Sequence, residues 1–385
     1  MHTGILMRVL LVDQFGELGG AQQVLLEAVA GFAARGWELH AVIPEGLLGN
    51  RLAPLCASIT PLVCGPFTPV RKSLADMARF GVQLPRQAAA ILRVVKRENI
   101  DVLYVNGPRL APAALWGRRG RPVIFHAHSL VTQPLAAGFA GFALRARGVT
   151  LLASSQFVAR WLTTLVPNAS IRVIYNGVAG FGPRFRTRNK PTRVAVLGRI
   201  APEKGQLTFA RAARIAVQHN SELRFHIGGA PMFAGEDYLD AVRAAAGSEV
   251  TFSGWTDDVG GFLKEVDLLV VPSDAVDANP RVIPEAYAAG VPVLAFDGGG
   301  IPELIEHGVS GLLLTQRTPE ALAAAILEAV GDPQRLGAMA ERGYARWQSR
   351  YTLARFQSEV CDAVEGAVGP RRRELVNKVR ASASA

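Results

Sequence analysis

The stretch Arg193-Val-Ala-Val-Leu-Gly-Arg-Ile-Ala-Pro-Glu-Lys-Gly205, followed by Gln206 to Val217, decides the fold. A short run of β-branched residues and leucine ends in glycine and polar residues, and a helical period follows. That order predicts a strand, a loop and a helix in succession. The same order occurs near the beginning of the chain, where Arg8 to Asp13 is followed by Gly16 to Gly20 and by a helical period. The sequence therefore begins a βα unit twice.

Further short apolar runs alternate with helical periods along the whole chain. Strands that are separated by helices cannot pair as hairpins, so we expect parallel, doubly wound sheets. The predicted class is α/β, with two Rossmann-like domains that face one another across a cleft between the domains. The further strands are predicted at Glu38 to Ile43, Val102 to Val105, Val123 to Phe125, Thr150 to Ala153, Arg172 to Ile174, Leu223 to Ile227, Val250 to Phe252, Leu268 to Val271 and Val291 to Ala295.

The length of 385 residues also favours two domains, because it exceeds the usual size of one hydrophobic core. Residues 180–191 are rich in glycine, proline and charge and read as a linker. We therefore expect an N-terminal acceptor-binding domain at 1–182 and a C-terminal nucleotide-sugar-binding domain at 183–349. Residues 350–385 are expected to form a helix that crosses back to the first domain, followed by a basic tail.

The composition excludes several classes of protein. No apolar run approaches the ~20 residues that cross a bilayer. The three cysteines, Cys56, Cys64 and Cys361, are too few and too scattered for a disulfide framework or a zinc site. Because the first residues lack the pattern of a signal peptide, we expect no export and a cytoplasmic location.

Charge is divided unevenly between the two halves. Residues 1–190 contain 22 Lys and Arg against 8 Asp and Glu, whereas residues 191–385 contain 20 against 24. Bases between Arg71 and Arg121 are interleaved with alanine and leucine, with few aromatic residues for stacking on nucleobases. This pattern favours an anionic membrane surface over a nucleic acid. The apolar stretch from Leu130 to Leu144 could lie on such a surface or form a buried helix.

The most specific motif carries two acids eight positions apart. It reads Val270-Val-Pro-Ser-Asp-Ala-Val-Asp277-Ala-Asn-Pro-Arg-Val-Ile-Pro-Glu285, and Gly298-Gly-Gly-Ile-Pro-Glu303 follows. Asp277 should lie in the loop after a strand and Glu285 in the first turns of the next helix, where free amides can bind phosphate. The motif resembles that of the retaining glycosyltransferase family 4, also called glycosyl transferases group 1, whose members have the GT-B fold.

The resemblance assigns roles to residues of this motif. It implies that Glu285 binds the hydroxyls of a ribose and that Asp277, where the family usually has glutamate, contacts the transferred sugar. Where the family usually has glycine, this chain has Pro280, which has no N–H to give. Contacts to phosphate are therefore expected from the amides of Asn279, Arg281 and Val282.

A second motif, Gly198-Arg199-Ile-Ala-Pro-Glu-Lys204-Gly205, is similar to the family's pattern of Gly-Arg followed, four residues later, by Lys-Gly. We expect Arg199 and Lys204 to stabilise the negative charge that grows on a leaving diphosphate. The alternative is a pair of surface bases in a βα turn.

The first half contributes two weaker motifs. Gly19 and Gly20 resemble the family's glycine loop and should bring the backbone close to the donor, although a tight turn alone would also explain them. His126 and His128 follow a predicted strand, and alternation places both on one side. The resemblance gives a histidine here a contact with the transferred sugar, and we take His126 as that residue. A hydrogen-bonded core histidine is the alternative for either one.

The expected function is the retaining transfer of a sugar from a nucleotide-diphosphate-sugar donor to a saccharide or glycolipid acceptor, in bacterial surface polysaccharide or glycolipid assembly. The donor is a co-substrate, and we expect neither a cofactor nor a metal. Two alternatives remain: a nucleotide-sugar epimerase of the same fold, and a non-catalytic subunit that binds nucleotide sugars. A peripheral location on the inner face of the plasma membrane would fit a lipid-linked acceptor.

Overall fold

A computed structural model describes residues 7–65, 74–131, 133–185, 193–231, 236–274 and 276–368. The chain divides into two compact units: unit 1 comprises Met1–Asn176 and Ala354–Ala385, and unit 2 comprises Gly177–Leu353. These boundaries fall close to the expected ones at 182 and 349. Part of the predicted linker, 186–191, and the basic tail from Arg371 lie outside the described residues.

Unit 1 contains a seven-stranded sheet in the order β3-β2-β1-β4-β5-β6-β7, and every pairing in it is parallel. Its strands are β1 Arg8–Val12, β2 Glu38–Ile43, β3 Ser58–Pro61, β4 Val102–Val105, β5 Val123–Ala127, β6 Val149–Ala153 and β7 Ile171–Val173. Its helices are α1 Gly20–Ala34, α2 Leu47–Leu52, α3 Leu74–Arg97, α4 Ala111–Gly117, α5 Pro134–Leu144 and α6 Gln156–Leu165, with α14 Leu353–Ala367 from the end of the chain.

Unit 2 contains a six-stranded parallel sheet in the order β10-β9-β8-β11-β12-β13. Its strands are β8 Arg193–Leu197, β9 Arg224–Gly228, β10 Val250–Gly254, β11 Leu268–Val271, β12 Val293–Phe296 and β13 Leu312–Leu314. Its helices are α7 Gln206–His219, α8 Glu236–Ala245, α9 Val259–Lys264, α10 Val282–Ala289, α11 Ile301–Leu304, α12 Pro319–Gly331 and α13 Pro333–Arg350.

The predicted α/β class with two Rossmann-like sheets is confirmed. Two edge strands, β3 and β13, were not predicted. The strand β3 has the sequence Ser-Ile-Thr-Pro, with one aliphatic residue and a proline, so it does not read as an apolar run. The helix expected from Arg350 corresponds to α14, which begins at Leu353, after α13 has ended at Arg350.

The helix α14 packs within unit 1. The Gln357 amide donates to the Glu27 carbonyl at 2.9 Å, and Arg35 forms ion pairs with Asp362 and Glu365 at 3.2 and 2.7 Å. The side chain of Gln357 also fills the space beside Gly31, since a Cβ there would lie 2.9 Å from its Cβ. The helix α14 thus belongs to the first unit.

Strand order determines where ligands can bind. In each sheet the chain reverses its direction of winding between two central strands, β1 and β4 in unit 1 and β8 and β11 in unit 2. Ligands of such sheets bind beyond the carboxyl ends of the strands at this switch point. Asp13 and Asn106 directly follow the central strands of unit 1, and Gly198 and Pro272 directly follow those of unit 2.

Candidate functional site

The loop after β8 is held against the end of β11 by a glycine. Gly205 has φ +73°, and a Cβ at this position would lie 1.7 Å from the carbonyl oxygen of Pro272. Only glycine avoids both the left-handed strain and the clash. The close approach brings Lys204, the residue before it, beside the segment that follows β11.

Two cations of this loop have defined partners in unit 2. Lys204 Nζ donates to Asp277 Oδ2 at 2.5 Å, and Arg199 pairs with Glu203. The buried Gln206 fixes the loop, because its amide donates to the Arg199 carbonyl at 2.8 Å and accepts from Ala201 N at 3.3 Å. The structure therefore joins two of the predicted site residues, Lys204 and Asp277, in one ion pair.

The backbone of Asp277 is fixed by the glycine loop after β12. Gly300 N donates to the Asp277 carbonyl at 2.8 Å. Gly299 has φ +61°, and a Cβ there would lie 2.2 Å from the same carbonyl oxygen. The Asp277 carboxylate also accepts from Ser273 Oγ at 3.4 Å. The Gly298-Gly-Gly300 motif thus serves to position Asp277.

The second acid lies where the sequence predicts it. The helix α10 begins at Val282, and Glu285 is in its first turn. Arg281 Nη2 lies 3.2 Å from Glu285 Oε1, and both side chains are largely buried. Asn279 lies in the loop before the helix, and Ile283 N bonds to the Pro280 carbonyl at 3.2 Å. Asn279, Arg281 and Val282 therefore form the approach to the helix, as expected, and their contact with phosphate stays a prediction.

Three cations of the predicted site in unit 2 are each paired with an acid: Lys204 with Asp277, Arg281 with Glu285 and Arg199 with Glu203. The exposed fractions of the Lys204 and Asp277 side chains are 31% and 14%, so water reaches the pair. An ion pair in such a position is weak enough to exchange partners.

In unit 1 the predicted glycines begin a helix. Gly19 has an extended backbone with φ −142°, and α1 starts at Gly20, beside which a Cβ would meet nothing within 4 Å. No positive φ requires either glycine. The buried Gln22 donates to both carboxylate oxygens of Asp13 at 3.1 Å. A glutamate at this position would face another carboxylate.

The two histidines lie on one side, and their ring centroids are 4.1 Å apart. His126 is within β5 and is completely buried, and its Nδ1 lies 2.5 Å from the Tyr104 hydroxyl. Burial, with a smaller effect of His128, holds the pKa of His126 well below its usual value. His128 follows the strand and is partly exposed. Of the two, His128 is the one that solvent reaches, and the contact predicted between His126 and a sugar stays a prediction.

The sequence reasoning missed two buried polar residues at the switch point of unit 1. Asp13 is fully buried and accepts from Phe15 N at 2.8 Å and from Asn106 Nδ2 at 2.6 Å. Burial raises the pKa of Asp13 to about 6, against the opposing effect of these hydrogen bonds. An acid and an amide that directly follow two neighbouring central strands were the signal that could have identified them.

Within the ranges given above, no group of three or more His, Cys, Asp or Glu side chains is arranged to hold a metal ion. In the same part of the chain, no helix combines the length and the apolar character that crossing a membrane requires.

Comparison with known proteins identifies the family. The model of "Glycosyl transferases group 1" matches residues 191–332, and that of "Glycosyltransferase Family 4" matches residues 18–179. A GDP-mannose-dependent alpha-(1-6)-phosphatidylinositol monomannoside mannosyltransferase of Mycobacterium tuberculosis is 28% identical over 57% of this chain and 62% of its own length. The chain thus spans about three-fifths of that relative.

Solved structures share the fold. HepE of Anabaena, in complex with UDP and glucose, has a TM-score of 0.76 and 23% identity over 92% of this chain and 98% of its own. A glycosyltransferase from Rickettsia africae has a TM-score of 0.80 and 16% identity over 94% and 99%. At these identities the likeness establishes the fold. With both units matched in sequence and in fold, the chain belongs to the group 1 glycosyl transferases of family 4 and has their GT-B fold.

Proposed function

We propose that this protein transfers a sugar from a nucleotide-diphosphate-sugar donor to a saccharide or lipid-linked acceptor, with retention at the anomeric carbon. The ion pair between Lys204 and Asp277, at the switch point of unit 2, is the observation that carries the proposal. It offers a cation for a leaving diphosphate and an acid for sugar hydroxyls in one place. The relative from M. tuberculosis is named for GDP-mannose, and HepE was solved with UDP and glucose, so nucleotide sugars fit the family while the base stays open.

The predicted site residues of unit 2 have separate roles in this proposal. Lys204 and Arg199 stabilise the charge on the leaving diphosphate most strongly as the glycosidic bond breaks, which lowers the barrier. The amides at the approach to α10 bind the phosphates at a helix N-terminus. Arg281 contacts Oε1 of Glu285, and we assign Oε2 of that carboxylate to the ribose hydroxyls.

The proposed reaction balances without a nucleophile from the protein. The bond between the anomeric carbon and the phosphate oxygen breaks, and an acceptor hydroxyl oxygen bonds to the anomeric carbon on the same face. The proton of that hydroxyl passes to the departing diphosphate. The products are the glycosylated acceptor and a nucleoside diphosphate.

The experiment begins with a thermal-shift panel of UDP, GDP and ADP and their sugars, because a bound ligand raises the melting temperature by mass action. The best donor, labelled in the sugar, is then incubated with a bacterial membrane extract. We expect label in the extract and an α-configured product from an α-configured donor. Interconversion of the donor alone would instead indicate an epimerase, and binding without turnover would indicate a binding subunit.

Matched variants link the activity to the site. Lys204→Ala should lower turnover at least about tenfold, since it removes a charge-assisted hydrogen bond. Arg335→Ala is the control. It removes an exposed ion pair, with Glu328 at 3.1 Å, between α12 and the start of α13. A helix that follows a parallel strand runs back to the amino edge of the sheet, so this pair lies away from the switch point. Full activity of Lys204→Ala would show that Lys204 does not stabilise the leaving diphosphate.

We also propose that unit 1 contacts an anionic membrane from the cytoplasmic side. The helix α5 exposes Leu135, Phe139 and Phe142, whose exposed fractions are 71%, 57% and 81%. Their spacing of four and three residues puts them on one helical face. Trp116 on the neighbouring helix α4 and Val82 on α3 are exposed as well, and the rings of Phe80 and Phe139 meet with centroids 6.0 Å apart. Exposed apolar side chains grouped in this way are typical of a contact surface.

Charge favours a lipid partner for this surface. Residues 74–147 contain 11 Lys and Arg against 3 Asp and Glu. Arg79, Arg86 and Arg93 recur every seven residues along α3 and are all exposed, whereas Asp76 is buried. Aromatic side chains beside clustered bases bind the boundary of an anionic bilayer, and a lipid-linked acceptor would be found there.

Flotation with liposomes tests the membrane contact. We expect binding to vesicles that contain phosphatidylglycerol at low salt and weaker binding at high salt. The double variant Phe139→Ser with Phe142→Ser should abolish it, while Trp255→Ser, which removes an exposed aromatic residue of unit 2, should not. Equal loss in both variants, or no flotation at low salt, would contradict the proposal.

A further inference from the structure

Three loops of unit 2 follow neighbouring strands at the carboxyl edge of its sheet, and Arg317 joins them. The strands are β11, β12 and β13, and Arg317 lies in the loop after β13, just before α12 begins at Pro319. Its Nη1 donates to the Asp274 carbonyl at 3.0 Å, and its Nη2 donates to the Asp297 carbonyl at 2.6 Å. One planar guanidinium thus holds the loop after β11 against the loop after β12.

The two carbonyls belong to the segments that support Asp277. Asp274 is three residues before Asp277, and its carboxylate accepts from Thr208 Oγ1 of α7 at 3.2 Å. Asp297 directly precedes the Gly298-Gly-Gly300 loop, whose last amide donates to the Asp277 carbonyl at 2.8 Å. Arg317 therefore fixes both segments on which the position of Asp277 depends.

Gly298 makes room for the guanidinium. A Cβ at this position would lie 2.3 Å from Arg317 Nη2, and the three atoms nearest to that Cβ all belong to Arg317. The backbone of Gly298 is not left-handed, so a side chain there is opposed only by the end of the arginine. Because the end of an arginine side chain can move, an alanine at 298 would displace the guanidinium at little cost to the backbone.

We propose that Arg317 is a positioning residue that fixes Asp277 and thereby determines how well the site distinguishes between epimeric sugars on the donor. Arg317 itself does not contact the donor. A carboxylate discriminates between epimeric hydroxyls only while its position is fixed. This use of Arg317 rests on the proposed function, in which Asp277 contacts the transferred sugar, whereas the fixing of the two loops does not.

Two variants remove the contact in different ways. Arg317→Ala deletes the guanidinium, and Gly298→Ala keeps it but occupies its place. The two variants should therefore have the same effect, and the double variant should add little to either one. Gly337→Ala is the matched control, because a Cβ at this position in α13 meets nothing within 4 Å.

Hydrogen exchange without substrate, measured by NMR on protein labelled at glycine nitrogen, tests the positioning. The Gly300 amide should exchange at least about fivefold faster in both variants than in the wild type and the control, since the segment of its acceptor, Asp277, is held less firmly. The Gly308 amide, which donates to the Gly311 carbonyl at 2.8 Å in the same unit, should keep its rate. Unchanged exchange at Gly300 in either variant, or equal acceleration at Gly308, would overturn the proposal. If Arg317→Ala does not fold, Gly298→Ala decides alone.

Isothermal titration tests the effect on specificity, with the donor found by the thermal-shift panel and an epimer of its sugar. Both variants should lose at least about fivefold of the wild type's preference for the donor over the epimer, whereas Gly337→Ala should keep it. A merely structural role would weaken both nucleotide sugars alike, and that result would overturn the proposal. A wild type that transfers no sugar would instead refute the proposed function, and the exchange rates would still decide whether Arg317 fixes Asp277.

Discussion

Replacing Asp277 by asparagine is expected to strengthen the binding of a nucleoside diphosphate, whereas replacing Lys204 by alanine weakens it. In the free protein the Asp277 carboxylate lies 2.5 Å from Lys204 Nζ and competes with a phosphate for that cation. Its own negative charge also repels the phosphate. The asparagine amide is of similar size, removes the negative charge, and leaves Lys204 only a neutral oxygen as its acceptor.

The solvent exposure of the ion pair between Lys204 and Asp277 determines how much the affinity for the diphosphate should change. The Lys204 and Asp277 side chains are 31% and 14% exposed, so the pair contributes about 0.2–1 kcal/mol, as ion pairs in contact with water do. Removing this ion pair in Asp277→Asn should tighten the binding of the nucleoside diphosphate by roughly 1.4- to 5-fold. A hydrogen bond from a charged group to phosphate contributes about 1.5–3 kcal/mol, so Lys204→Ala should weaken binding by roughly 10- to 150-fold.

Isothermal titration of wild type and both variants with the preferred nucleoside diphosphate measures these effects. The sugar is omitted, because Asp277 is expected to contact it and Asp277→Asn should therefore lower transfer even as it tightens the diphosphate. Titration of the double variant shows whether the two effects depend on each other. If both single variants weaken the diphosphate to a similar degree, the pair acts only as a structural link and the reasoning is refuted.

Three further predictions concern folding. In a urea titration, Gly205→Ala should lower the free energy of unfolding of unit 2 by at least about 3 kcal/mol, because the left-handed backbone and the contact with Pro272 both oppose a Cβ. The control Gly308→Ala, at φ +78° with open space around it, should lower it by about 1–2 kcal/mol. Equal losses in the two variants would contradict the steric argument. Burial lowers the pKa of His126 in the folded state, so only the unfolded state takes up a proton on this residue as the pH drops below about 6.5. Lowering the pH through this range therefore lowers the free energy of unfolding. Between pH 7.5 and 5.5, His126→Phe should therefore lose about 1.4 kcal/mol less stability than the wild type, and an identical pH dependence would show that His126 is not held neutral. Gln22→Glu should lower the melting temperature at pH 8 and do so less at pH 5, where one proton can be shared with Asp13, whereas the exposed neighbour variant Gln23→Glu should show neither effect.

The sequence predicted the architecture because the strands of parallel sheets are buried on both faces and read as short apolar runs. The runs at Glu38–Ile43, Val102–Val105 and Leu268–Val271 have the same bounds in the structure. The strand after Val123 was predicted to end at Phe125 but continues to Ala127, so His126 lies inside it. The sequence alone does not predict a buried histidine within a strand. The hydrogen bond with Tyr104 and the ring contact with Phe356 that accompany its burial are seen only in the structure.

The candidate site was predicted in its parts but not in its pairings. The positions of Asp277 in a loop and of Glu285 in the first turn of a helix followed from local pattern. The contact between Lys204 and Asp277 did not, because these residues are 73 positions apart and meet only through the close approach of Gly205 to Pro272. The hydrogen bond between Asn106 and Asp13 was missed for the same reason, since the two residues follow different strands.

The central claim is that unit 2 binds the pyrophosphate of its donor through Lys204. The most direct measurement compares the affinities of the nucleoside diphosphate and the nucleoside monophosphate with the same base, in wild type and in Lys204→Ala. We predict that the wild type prefers the diphosphate by at least about tenfold and that the variant loses most of this preference. Equal affinities for the two nucleotides in the wild type, or a preference that survives in Lys204→Ala, would contradict the claim.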